Sequence, residues 1–193
     1  MKNTPTDPAR ISLLLNELRL PATKVNWSRF ADQADKEGWP AARFLAALAE
    51  HELAERDRRR MERHLAEGRL LPGKTLETFE FDAVPMVSKA QVMAIVAGDI
   101  WLGKGANLLL FGPPGTGKSH LASAIGLALI EKGYRVLFTR TTDLVQKLQQ
   151  ARRDLDLESA LAKLDKFDLL ILDDFAYVTK DQAETSVLFE LIS

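Results

Sequence analysis

The chain has no cysteine among its 193 residues. Disulfides and thiolate metal sites are therefore excluded, and the composition fits a reducing cytoplasm. It has no apolar run approaching the roughly 20 residues that a membrane helix requires. Met1-Lys2-Asn3-Thr4-Pro5 is not followed by a hydrophobic signal core, so the expectation is a chain that stays in the cytoplasm where it is made. An excess of one charge is also missing. The 26 Lys/Arg against 27 Asp/Glu give a formal net charge of -1, which excludes a simple polycation.

Hydrophobic residues make up 46% and charged residues 27%, the ordinary balance of a globular protein. The length allows one domain with an appendage, or two small domains. Charge is unevenly spread. Residues 1–75 carry 14 basic and 11 acidic side chains, whereas residues 76–193 carry 12 and 16. The N-terminal part is thus the side favoured to meet an anionic partner.

No strand signal precedes residue 75, so a helical N-terminal domain is expected over 1–75 and a second domain over 76–193. The helices expected in the first part span about 9–19, closed by Pro21, then Asn26 to Glu37, then Ala41 to Glu67, stopped by Gly68. Pro72, Gly73 and Pro85 mark a linker. A helix from Ser88 to about Leu102 follows, ended by Gly103 and Gly105. The pattern then alternates. Strands are expected at Asn107–Phe111, Arg135–Thr139 and Asp168–Asp173. Helices are expected at Gly117–Lys132, capped by Gly133, from Asp143 with Thr142 as its N-cap, over Leu157–Leu164, and over Asp181–Ile192. Such alternation implies an α/β fold, a parallel sheet with helices on both faces.

Gly112-Pro113-Pro114-Gly115-Thr116-Gly117-Lys118-Ser119 meets every fixed position of a phosphate-binding loop, between an apolar run and a helix. Glycines let the backbone bring its N–H groups against phosphate oxygens, and the helix start adds its positive end. Lys118 offers a compact cation to the β- and γ-phosphates, and Ser119 a hydroxyl to magnesium. ATP with magnesium is the ligand this pattern suits. Leu169-Leu170-Ile171-Leu172-Asp173-Asp174 reads as a buried strand delivering two carboxylates at its C-terminal edge, 54 residues beyond Ser119. Asp173 suits magnesium, and Asp174 suits polarisation of an attacking water, where many such ATPases carry a glutamate.

Other residues admit two readings each. Arg56, Arg60 and Arg63 share a helix face and suit phosphate contacts, but Glu52–Arg56 and Glu55–Arg59 pairs on a solvated face account for the cluster as well. Arg140, Lys147, Arg152 and Arg153 suit either a DNA channel or a solvated face. His51, His64 and His120 form no metal-ligand spacing; His120 follows the loop, where it either adjoins the nucleotide or packs locally. Phe79, Phe81 and Val84 either approach the adenine or pin the linker.

The stretch Gly112–Ala122, with His120-Leu121-Ala122 after the loop, resembles the AAA+ ATPases of the helicase-loader group. Leu70–Phe81, Phe138–Val145 and Leu169–Phe175 bring the resemblance closer to the IstB transposition helpers within the IstB and DnaC-like group. The likeness runs from about Arg10 to Ser193. It implies a P-loop NTPase core of AAA+ type, a helical N-terminal domain for partner or DNA contact, and ATP-dependent homo-oligomers acting on DNA with a transposase. On it, Gly112 to His120 hold the nucleotide, Ser119 and Asp173 the magnesium, and Lys118 and Asp174 the catalytic roles. Family members continue beyond the position of Ser193, with a strand lying between the P-loop strand and the Asp173 strand. The expectation is a C-terminally truncated product with a gapped sheet and weak or absent hydrolysis. A replicative helicase loader, and a non-catalytic module that binds transposase or DNA, are the alternative readings.

Overall fold

The structure is a computed structural model, and it describes residues 7–98 and 101–175. The chain divides into two compact units, Met1–Arg60 and Met61–Ser193. The sequence reading placed its domain boundary near residue 75; the division between compact units falls after Arg60.

The first unit is helical. Helix α1 spans Pro8–Glu17, with Asp7 as N-cap accepting from the Ala9 N–H at 2.9 Å. Helix α2 spans Pro21–Glu37 and starts earlier than expected. Pro21 does not merely close the preceding helix. It occupies the first helical position, where a missing N–H costs nothing and φ is already helical. Helix α3 spans Ala41–Gly68. The buried apolar residues of this unit are few, namely Ala22, Ala34 and Leu48. Its most buried charged group is Glu52. The carboxylate accepts the Thr23 N–H at 2.8 Å, the Thr23 hydroxyl at 3.1 Å and Arg56 Nε at 3.2 Å. It thereby satisfies an N–H of the first turn of α2 that no residue of α2 can satisfy.

In the second unit, Gly68 has a role other than the stop expected of it. The left-handed residue after α3 is Arg69, at φ +51°. A Cβ on Gly68 would lie 3.0 Å from Ile130 Cδ1 and 3.1 Å from the Val136 carbonyl oxygen, so this glycine permits a close approach. Helix α4, Lys89–Ala97, is capped by Ser88 and is shorter than expected. Gly98, at φ +85°, ends it, ahead of the Gly103 and Gly105 predicted to do so. Helix α5 spans Lys118–Glu131. Gly133, at φ +98°, turns the chain into strand β1, Val136–Arg140. Helix α6, Thr141–Arg153, begins directly after β1. Thr142 lies inside its first turn, so it is not the N-cap. Helix α7 spans Leu157–Leu164 and strand β2 spans Leu169–Asp173.

β1 and β2 pair in parallel, Val136 opposite Leu169 through Arg140 opposite Asp173. Alternation along the strands separates two faces. Val136, Leu169 and Ile171 pack with Ile125, Leu129 and Ile130 of α5, whereas Leu172 packs with Leu144 and Leu148 of α6 and with α7. This is a partial P-loop NTPase fold with helices on both faces of its sheet.

The expected strand at Asn107–Phe111 is not one. Among the described residues the sheet has two strands, β1 and β2. Leu109 is 71% and Phe111 86% exposed. An apolar run becomes a strand only where a neighbour supplies the ladder hydrogen bonds, and β1 and β2 supply them to each other. The helix expected over Asp181–Ile192 lies outside the described residues.

Candidate nucleotide-binding site

The loop ahead of α5 folds as its glycines require. Gly112, Gly115 and Gly117 have φ of +152°, +81° and +81°, which L side chains rarely adopt. A Cβ on Gly117 would also stand 3.0 Å from Phe79 Cε2. Pro113 and Pro114 have no N–H, so between Gly112 and Gly115 the loop offers no backbone donor. The Pro113 carbonyl accepts from the Thr116 hydroxyl at 2.9 Å. Helix α5 has Gly117 as N-cap and no side-chain cap, as is also true of α2, α6 and α7. The N–H groups of its first turn and the positive end of its dipole are left to an anion.

Lys118 Nζ donates to the carbonyl oxygens of Gly112 at 2.9 Å and Pro113 at 2.7 Å. The ammonium is thus held inside the turn of the loop. Ser119 Oγ donates to Asp173 Oδ1 at 2.8 Å. The serine at the start of α5 and the carboxylate at the end of β2 therefore meet at one edge of the sheet. Asp174 follows, exposed and in the left-handed region at φ +56°.

His120 turns to the linker. Its Nε2 lies 3.1 Å from the Thr75 carbonyl and 3.2 Å from the Thr78 hydroxyl, and its ring meets Phe79 edge-on. Phe79 is buried in the core beside α5, with Phe81 and Val84 packed against it. The linker is thus pinned by aromatics at the loop. Sequence reasoning missed Thr141. Its buried hydroxyl donates to the Asp173 carbonyl at 2.8 Å, which fixes the backbone that carries the carboxylate. A threonine directly after β1, beside a partner strand ending in acid, is the available signal.

Four arginines of α3 are engaged with acids on their own helix, and Arg43 pairs with Glu37 of α2 at 3.9 Å. Arg56 pairs with Glu52 at 3.2 Å, Arg58 with Glu55 at 2.8 Å, Arg59 with Glu55 at 4.0 Å and Arg60 with Asp57 at 3.0 Å. Arg56 also donates to the Arg19 carbonyl. His64 is buried with Nδ1 3.1 Å from the Tyr134 carbonyl, and His51 Nε2 lies 3.0 Å from Asn26 Nδ2. Among the described residues no cluster of three His, Asp or Glu could hold a metal by itself. No described helix is long and apolar enough to cross a membrane.

A glycine turn running into an uncapped helix, with a lysine in the turn and a hydroxyl on a strand-end carboxylate, defines a P-loop nucleotide-binding protein. The chain belongs to the family of IstB-like ATP-binding proteins, whose model matches residues 13–193. It is 80% identical over 187 residues to the "Putative insertion sequence ATP-binding protein y4iQ/y4nD/y4sD" of Sinorhizobium fredii, covering 97% of this chain and 63% of that protein. It is 32% identical over 184 residues to the "Insertion sequence IS5376 putative ATP-binding protein" of Geobacillus stearothermophilus, covering 95% of this chain and 73% of that one. The "Insertion sequence IS21 putative ATP-binding protein" of Pseudomonas aeruginosa is 33% identical over 183 residues, with 95% and 69% covered. The chain therefore spans about two thirds of the length of these relatives. Membership of an ATP-binding family implies nucleotide binding.

Proposed function

We propose that this chain is an ATP–magnesium-binding helper of DNA transposition, assembling as a homo-oligomer on DNA in the cytoplasm and acting with a transposase. The observation that carries the nucleotide site is the 2.8 Å bond from Ser119 to Asp173 beside the uncapped start of α5. Backbone N–H groups from Gly115 to His120 would hold the phosphates, with Gly112, Pro113 and Pro114 shaping the turn. Lys118 would exchange its loop carbonyls for phosphate oxygens. Ser119 and Asp173 would hold magnesium together with those oxygens, since magnesium is usually bound by one or two carboxylates plus substrate phosphates. When bound, the metal neutralises charge on the phosphates. Asp174 would orient a water.

Slow hydrolysis is part of the proposal. Asp174 is one methylene shorter than the glutamate common at this position. The Asn107–Phe111 run that leads into the loop has no ladder to hold it among the described residues. The names of the relatives, all referring to insertion sequences, favour the transposition reading over a helicase loader. The helical residues 1–75 are assigned the partner or DNA contact. Deleting them should abolish capture of transposase, and capture that survived would sink that assignment. Robust ATP turnover abolished by Lys118→Ala would sink the proposal of slow hydrolysis.

A further inference from the structure

Helix α6 ends in a six-residue hydrogen-bonded corner. The Leu155 N–H donates to the Arg152 carbonyl at 3.2 Å and the Asp156 N–H to the Ala151 carbonyl at 2.8 Å. The residue at the turn of such a corner takes a left-handed conformation and is usually glycine. This chain obeys that rule twice and departs from it at Arg19, which turns the end of α1 at φ +54° in the same corner, with Arg19 N–H on the Asn16 carbonyl and Leu20 N–H on the Leu15 carbonyl. What sets the end of α6 apart is an exposed apolar side chain at that position. Gly38 turns the end of α2 at φ +63°, with Trp39 N–H on the Ala34 carbonyl, and Gly133 turns the end of α5 at φ +98°, with Tyr134 N–H on the Leu129 carbonyl. At the end of α6 the position is Leu155, at φ +57° and 95% exposed. A strained backbone here presents a large apolar side chain to solvent and gains nothing from packing within the chain. Such an outlier points to a function outside the fold. Asp154, Asp156 and Glu158 lie beside it, after Arg152 and Arg153, so the stretch 152–158 carries three acids and two arginines. Asp154 accepts from Gln150 Nε2 at 3.0 Å on both carboxylate oxygens.

The same unit holds a complementary feature. A cavity of about 500 Å³ opens between β1, α6, α7 and the end of α3. Leu137, Leu148 and Leu164 line its floor, and Arg69, Lys147 and Lys163 stand around it. These three cations form no salt bridge among the described residues. The acid at the cavity, Glu67, is already held by Arg135 at 2.8 Å. The cavity is thus apolar with a net positive rim. Leu155 is 95% exposed and is not among the residues that line this cavity.

We propose that the Leu155 corner of one copy seats in this cavity of a second copy, with Asp154, Asp156 and Glu158 against Arg69, Lys147 and Lys163. Knob and socket are different surfaces, so the contact is heterologous and adds copies head to tail, closing a ring or extending a filament. Neither surface shares a residue with the phosphate loop or Asp173. The inference rests on the proposed assembly into oligomers and names its surface.

The test is sedimentation velocity of the full chain over graded concentration and salt. The expected result is reversible association that weakens as salt screens the charges. Leu155→Ser should weaken it by about tenfold or more, as loss of one buried leucine side chain implies. Lys147→Glu with Lys163→Glu should do the same. Mixing these two variants should give a 1:1 dimer that grows no further, because one working knob and one working socket remain. Leu155→Gly, which relieves the corner, separates loss of contact from loss of fold. Wild-type association unchanged by the Leu155 variants would overturn the surface and leave assembly standing. Failure of the wild type to associate, also with ATP, magnesium and duplex DNA present, would overturn both. Capture of another protein that depends on Lys147 and Lys163 but not on Leu155 would assign the socket elsewhere and overturn the inference.

Discussion

Glu52 is the residue whose loss the first unit should tolerate least. With so few buried apolar side chains in that unit, a buried carboxylate with three donors carries an unusual share of its stability. Glu52→Ala removes two bonds from Thr23 and one from Arg56. It also leaves the Thr23 N–H buried without an acceptor. Hydrogen bonds to charged groups contribute about 1.5–3 kcal/mol each, and breaking a buried ion pair costs about 3–5 kcal/mol. Because Arg56 is half exposed, a loss of about 3 kcal/mol is expected. Glu52→Gln keeps one acceptor and should lose roughly half as much. The pH dependence carries a second signature. Burial raises the pKa of Glu52, but the Thr23 N–H, the Thr23 hydroxyl and Arg56 outweigh it, leaving the group below its ordinary value of 4.5. A carboxylate depressed in the folded state contributes stability that is complete above 4.5 and is lost as pH falls through the lower folded value. Denaturant titration in a Trp101→Phe background, followed by fluorescence of Trp27 and Trp39, both in this unit, measures both effects. A Glu52→Ala variant within about 0.5 kcal/mol of wild type, or one whose acid-side loss is undiminished beside that left by Glu37 and Glu55, whose pKa values are also lowered, would refute the reasoning.

Three further substitutions test the packing argument. Leu155→Gly should raise stability by about 1 kcal/mol, because glycine adopts the left-handed corner without strain; thermal denaturation of the monomer checks it. Gly126→Ala should lower stability by about 1–2 kcal/mol in the same assay. A Cβ there would meet Ile171 Cδ1 and Leu70 Cδ2, each at 2.9 Å, and overpacking outweighs the roughly 1 kcal/mol gain in helix propensity. Gly117→Ala should weaken binding of a fluorescent ATP analogue by about tenfold, since φ of +81° and the 3.0 Å approach of Phe79 both resist a side chain.

The site was legible in the sequence where chemistry demands fixed residue types at a fixed spacing. Gly112 to Ser119 and the acid at Asp173 are marked by residue type and spacing alone, and the structure brings Ser119 Oγ within 2.8 Å of Asp173 Oδ1. What was not legible depends on neighbours distant in sequence. Asn107–Phe111 has the composition of a buried strand, but a strand exists only through its partners. Gly68 reads as a helix stop, yet its place is set by Ile130 and Val136. Thr141 clamps Asp173 through a backbone carbonyl that no residue pattern announces. Leu155 looks like an ordinary apolar residue until its φ and exposure are known.

Equilibrium ATP binding, with and without magnesium, tests the central claim most directly. The wild-type chain should bind ATP more tightly with magnesium present. Lys118→Ala should weaken binding by about 10- to 100-fold, the worth of one charge-assisted contact to phosphate. Ser119→Ala should bind ATP with its magnesium dependence largely removed. Binding that is undetectable in the wild type, or unchanged in Lys118→Ala, would contradict the assignment of Gly112–Ser119 as the nucleotide site.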